Sequence, residues 1–301
     1  MPGTVVAGID GSPESRAAVE WAAREALLRG LPLKIVYVSE PVPRRLAQNP
    51  LLAPESYQHW AEQMLRESVE GIRLRHPGIA VVAEQLIGTV ADLLCEAAGS
   101  AEMLVLGSRG LGAVGGFLGG SVSLAVVARA ERPVVLVRAG EQAAAEHETQ
   151  RAGVSSTAAP FRPVVLGLDI DDPNDTLLEF AFDAAACRKA PLRVVHSRPE
   201  PPTAFYRFSG DAELRDSLAR GQAGLLSKVL RPWRQKLPDV EVIESSRTGS
   251  AAQNLVEDSR DASLAVVGRR IRTGLFGARI GHVAHAAIHH VAAPVAVVAH
   301  G

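Results

Sequence analysis

Lysine is scarce in this chain of 301 residues, standing only at 34, 189, 228 and 236 among 32 basic residues. The arginine preference reads as a compositional bias rather than a chemical signal. Neither sign of charge is in excess, since 33 acidic residues leave a net charge of −1. A nucleic-acid or membrane surface as the main partner is therefore not expected, because either draws on a basic excess. Cysteine occurs twice, at 95 and 187, with neither metal spacing nor a disulfide framework. Each lies in an apolar, helix-like run, Leu93-Leu94-Cys95 and Ala185-Ala186-Cys187, as expected of half-buried thiols in a reducing compartment. No apolar stretch approaches the length of a membrane span; the run Val291–Ala299 is broken by Pro294. The chain enters a strand-like run at 4–9 without a basic or apolar leader, so the expected location is the cytoplasm. A G-x4-G-K-[ST] loop is also missing, which excludes a P-loop nucleotidase.

What is present is apolar residue, 47% of the total, enough for two ordinary cores. The chain also repeats itself. Val5-Val6-Ala7-Gly8-Ile9-Asp10 recurs 159 positions on as Val164-Val165-Leu166-Gly167-Leu168-Asp169, and Leu33-Lys34-Ile35-Val36 as Leu192-Arg193-Val194-Val195. Gly88-Thr89, Gly107, Gly120 and Pro133-Val134 recur 161 positions on as Gly249-Ser250, Gly268, Gly281 and Pro294-Val295. A duplicated domain follows, with copies at 1–138 and 162–301 and an Ala/Glu/Ser/Thr-rich linker at 139–161. In the first copy, patterning predicts strands near 4–9, 33–38, 79–87, 103–107 and 134–138, and helices near 13–29, 55–75, 89–99 and 121–131. Continuously apolar strands such as Met103-Leu104-Val105-Leu106 suit a parallel sheet covered on both faces. The fold class is thus α/β: two tandem doubly wound domains, each a five-stranded parallel sheet with helices on both faces.

After the fourth strand comes Gly107-Ser108-Arg109-Gly110, then nine residues, then Gly120-Ser121-Val122-Ser123. A polyphosphate needs N–H donors and close backbone approach, so glycines off a strand end followed by a helix start suit it. The pattern G-x2-G-x9-G-[S/T], with the opening Ile9-Asp10-Gly11-Ser12, resembles the ATP-binding members of the universal stress protein family, and the resemblance covers both copies. It implies ATP, with Mg²⁺ to neutralise it. Gly8, Ile9, Asp10 and Val38 would line the adenine and ribose end, Leu106 would pack on the base, and Gly107, Ser108, Arg109, Gly110, Gly120, Ser121, Val122 and Ser123 would hold phosphates. Asp10 would act through either the ribose or the metal. It also implies a homodimer with intramolecular pairing of the two copies through the last strands, and protein partners that the sequence does not identify.

In the second copy the loop reads Gly268-Arg269-Arg270-Ile271 and the later turn Gly281-His282-Val283-Ala284, so Ile271, His282 and Ala284 replace Gly110, Ser121 and Ser123. Asp171 and Asp172 replace Ser12 and Pro13 and add negative charge, partly offset by Arg269, Arg270, Arg272 and His282. Gly167, Asp169, Gly268, Arg269 and Gly281 remain as a reduced site, either lost or retuned for a smaller anion. Other patterns are set aside. Gly110–Gly115 matches G-x-G-x-x-G but follows the fourth strand, not the first. Asp169, Asp171, Asp172 and Asp175 lack the glycine and glutamate of a calcium loop and read as helix-capping carboxylates. His282, His285 and His289 share one helical face, with His290 adjacent, but without acidic or cysteine ligands the stripe reads as a solvated or interface face. With no dedicated base or nucleophile, the expected function is a nucleotide-dependent regulator or sensor of stress, not an enzyme. A slow ATPase, an adenylyl transferase and a nucleotide-free interaction module are the alternatives.

Overall fold

The computed structural model describes residues 3–41, 54–108, 122–140, 142–148, 159–198, 212–271 and 280–301. The first compact unit takes the described residues up to Gln142, together with Ile271, and has strands β1 (Val5–Gly8), β2 (Leu33–Ser39), β3 (Val81–Ile87), β4 (Met103–Ser108) and β5 (Val134–Arg138). Its helices are α1 (Pro13–Arg29), α2 (Pro54–Arg75), α3 (Val90–Gly99) and α4 (Val122–Arg129). Strand order is β3-β2-β1-β4-β5, and each neighbouring pair is parallel. β1 and β2 run outward in one direction and β4 and β5 in the other, so the crevice opens between the carboxyl ends of β1 and β4.

Local chemistry sets these elements. Ser12 caps α1, its Oγ accepting from the Ser15 N–H at 3.2 Å, and Gly30 ends it at φ +64°, where a side chain is unfavourable. α1 packs on β4, β1 and β5 and α2 on β3 and β2, while α3 and α4 pack together on the opposite face. Trp21, Leu33, Ile35, Met103 and Leu104 are fully buried between these layers, each such side chain stabilising by roughly 1.5–3 kcal/mol.

The second unit repeats the plan with β6 (Val164–Gly167), β7 (Leu192–Arg198), β8 (Val242–Thr248), β9 (Leu264–Arg270) and β10 (Val295–His300). Its helices are α5 (Asp175–Arg188), α6 (Ala212–Lys236), α7 (Ala251–Asp258) and α8 (His282–His290). The order β8-β7-β6-β9-β10 reproduces the first sheet strand for strand, again all parallel. The tandem α/β architecture expected from the repeat is thus the observed one. The ends of 139–161 are more structured than their composition suggests. Ala143–Glu146 form a 3₁₀ turn, His147 bridges antiparallel to Phe161, and their rings lie 4.1 Å apart. Phe161 in turn packs under the buried Arg188 of α5, and from Ala143 onward the described part of this stretch belongs to the second unit.

Candidate functional site

Side chains alternate across a sheet, and this decides what each residue of the first crevice touches. Gly8, Val38 and Leu106 share the face covered by α3. A Cβ on Gly8 would lie 2.6 Å from Leu106 Cδ2 and 3.4 Å from Leu94 Cδ2, so Leu106 lies across the space that Gly8 leaves. Val38 is nearly buried on β2, and Ile9 is buried with its N–H donating to the Val36 carbonyl at 2.9 Å. Asp10 and Ser108 follow Gly8 and Leu106 at the strand ends. Asp10 Oδ1 accepts from the Ser12 N–H at 2.9 Å and the Ser12 hydroxyl at 2.5 Å, which fixes the turn into α1. Asp10 itself is exposed.

Gly107 faces the other way. A Cβ there would sit 2.6 Å from the Glu14 carbonyl carbon and 2.7 Å from the Ser15 nitrogen. The residue lies inside β4, paired with Val137, and its missing side chain admits the start of α1 rather than a ligand. Ser123, expected as a phosphate donor, instead donates its hydroxyl proton to the Gly107 carbonyl at 2.8 Å. A hydroxyl has one proton, and here a strand-end carbonyl takes it. The consequence is positional: this bond fixes the first turn of α4 against the carboxyl end of β4. The first N–H groups of a helix have no partner within it, and they carry its positive dipole end. α4 begins at Val122, which is exposed. Arg109, Gly110, Gly120 and Ser121 lie outside the described residues.

A residue that the sequence reading passed over is Arg138. It ends β5 as the Cα partner of Ser108, on the same face. Partial burial depresses its pKa by disfavouring the charge. The guanidinium nonetheless remains ionised. Only its place immediately after the run Val134–Val137 could have signalled it, since a parallel strand ends with its last residue at the crevice.

In the second copy the reduced site is differently filled. A Cβ on Gly167 would meet Leu255 Cδ2 at 3.2 Å, and one on Gly268 would meet the His300 ring Nε2 at 2.6 Å and Leu177 Cδ2 at 3.1 Å. Asp169 Oδ1 accepts the Asp171 N–H at 3.1 Å, the same turn that Asp10 makes. The helix cap is Asn174, whose Oδ1 accepts from the Thr176 and Leu177 N–H groups, so the neighbouring aspartates are not the capping groups. Asp172 pairs with Arg270 at 2.5 Å. Arg269 is buried in β9. Gly281 stands at the N-cap of α8 without a side-chain bond, and Ile271 is exposed. His285 and His289 bring their rings within 4.4 Å of each other. Among the described residues no group of three or more His, Cys, Asp or Glu could hold a metal ion, and no helix is long and apolar enough to cross a membrane.

A doubly wound parallel domain, duplicated, with a helix start at the crevice of its first copy, defines a class of tandem α/β proteins. The universal stress protein family model matches residues 1–138 and 160–299, and the chain belongs to that family. It is 32% identical over 304 residues to a universal stress protein of Mycolicibacterium smegmatis, covering 98% of this chain and 96% of the relative. It is 33% identical over 307 residues to one of Mycobacterium tuberculosis, covering 97% and 96%. Among solved structures, a universal stress protein from Archaeoglobus fulgidus shares the fold at TM-score 0.67 and 16% identity, covering 99% of this chain and 98% of that one.

Proposed function

We propose that the first copy binds ATP and that the protein acts as a nucleotide-dependent regulator in the stress response, with binding rather than turnover as its task. The observation that carries this reading is the bond from Ser123 to the Gly107 carbonyl. It presents the start of α4 at the carboxyl end of β4, beside the end of β1, where the motif Gly107–Ser121 connects strand to helix. Backbone N–H groups there would supply anion binding without calling on a side-chain base or nucleophile.

The described residues fit a polyphosphate in their donor chemistry: the α4 start, Ser108 and the Arg138 guanidinium share one strand-end edge. They fit Mg²⁺ in the manner usual for nucleotide sites, with phosphate oxygens and water as most of its ligands. Asp10 stands at the end of β1 as an exposed carboxylate, in reach of either ribose or ion chemistry.

The decisive experiment is mass analysis of small molecules released when the purified protein is denatured, with calorimetric titration of ATP alongside. Intact ATP, and affinity lost in a folded Gly110→Val variant, is the expected outcome. Rapid conversion of ATP to product by the purified protein would make it an enzyme instead, and absence of ATP binding would leave an interaction module.

A further inference from the structure

We propose that the second copy is an anion site closed by its own chain, the Asp172 carboxylate serving as the built-in ligand of Arg270. The inference deepens the ATP reading and rests on it in one respect. Arg270 stands 161 positions after Arg109, the residue that the resemblance assigns to phosphate.

Arg270 is the last residue of β9, and Asp172 lies in the turn after β6, the parallel neighbour of β9. Their contact, Nη2 to Oδ2 at 2.5 Å, therefore spans the two strand ends between which the second crevice opens. The turn is fixed from beneath by the Asp171 N–H on Asp169 Oδ1. Arg270 is also the Cα partner of His300, whose ring lies over Gly268. Burial lowers the His300 pKa, while Asp172 pulls it up and Arg270 and Arg269 push it down. The Asp172 carboxylate thus stands in contact with one guanidinium and close enough to the His300 imidazole to act on its charge, as a bound anion would.

The first copy lacks this carboxylate. The position of Asp172 is held there by Pro13, the first residue of α1, which carries no charge. Loss of nucleotide binding in the second copy is then more than the loss of Gly110 and Ser121 equivalents. Asp172 and Arg270 are each about half exposed, so their pairing adds little to stability. What matters is sign and place. An arriving phosphate would meet a negative charge already in contact with the cation it needs, and like charges at contact distance repel strongly even near a protein surface.

The test uses the full-length protein, calorimetry and inorganic tripolyphosphate, with Asp172→Asn to keep shape and remove charge. The variant should bind one more tripolyphosphate per chain than the parent, at an affinity about tenfold or more above any the parent shows there. The double variant Asp172→Asn with Arg270→Gln should lose that added event. If the first copy binds no anion at all, the count rises from none to one rather than from one to two, so failure of the ATP reading is distinguishable. An unchanged count in Asp172→Asn overturns the proposal, as does an added event that survives Arg270→Gln.

Discussion

The Ser123 hydroxyl meets the Gly107 carbonyl at 2.8 Å, which makes the start of α4 and the end of β4 a single corner. Both residues belong to the motif that suggests nucleotide binding, yet their contact is with each other. Binding and architecture are therefore separable by mutation at neighbouring positions.

Replacing Ser123 by alanine removes the only proton that this side chain can donate and leaves a part-buried carbonyl without it. Ser123→Ala should lower stability by about 1 kcal/mol, within the range for one hydrogen bond. Ser121→Ala should instead weaken ATP about tenfold, as expected for a hydroxyl meeting a charged phosphate, an effect on affinity that Ser123→Ala should not match. Urea unfolding and calorimetry on both variants check this, and reversal of the two effects would refute the assignment.

Gly107→Ala places a methyl group 2.6–2.8 Å from the backbone and Cβ of α1, atoms that cannot turn away. A cost of about 1–3 kcal/mol follows from overpacking. At Gly268 the nearest atoms belong to the side chains of His300 and Leu177, which can shift, so Gly268→Ala should cost less. Equal unfolding free energies for the two variants would contradict the packing argument.

Arg138→Gln should weaken ATP about three- to tenfold and reduce the salt dependence of binding. Partial burial disfavours the charge of this guanidinium, and a phosphate beside it would stabilise that charge. Affinity unaltered at both low and high salt would remove Arg138 from the site.

Two carboxylates make acid sensitivity predictable. At Glu20 burial raises the pKa, but hydrogen bonds from His76 and Arg75 outweigh it, and the net shift is downward. At Asp261 the hydrogen bond from Arg193 lowers it. A carboxyl with a depressed folded pKa contributes stability that is present above its unfolded pKa, near 4. That contribution is lost as pH falls through the folded value below it. Glu20→Gln and Asp261→Asn should therefore each flatten the loss of stability between about pH 5 and pH 2, read by denaturant unfolding. An acid limb as steep as the parent's would count against both pairings.

Much of the fold was legible because its signals are local. Ser12, Pro13 and Gly30 mark the two ends of α1, and the helix runs from Pro13 to Arg29 as the sequence predicts. β3 starts at Val81 rather than 79, because Gly78 at φ +92° and the Ile79 N–H on the His76 carbonyl prolong the turn. The site was less legible. Gly107 reads as a ligand-facing glycine in sequence, whereas its neighbour is Glu14, brought close only by packing of α1 on β4. Ser123, Arg138 and Asp172 take their roles from partners on other strands and turns. Residue spacing carries no direct record of such contacts.

The crowding at Gly107 also bears on how such a protein ages after duplication. The second copy differs from the first at the motif positions of Gly110 and Ser121, where it carries Ile271 and His282. It is less free to change at Gly268, where the side chains of His300 and Leu177 crowd the strand, though more yieldingly than the α1 backbone crowds Gly107. Packing alone therefore gives this glycine a reason to persist, whatever the second copy binds.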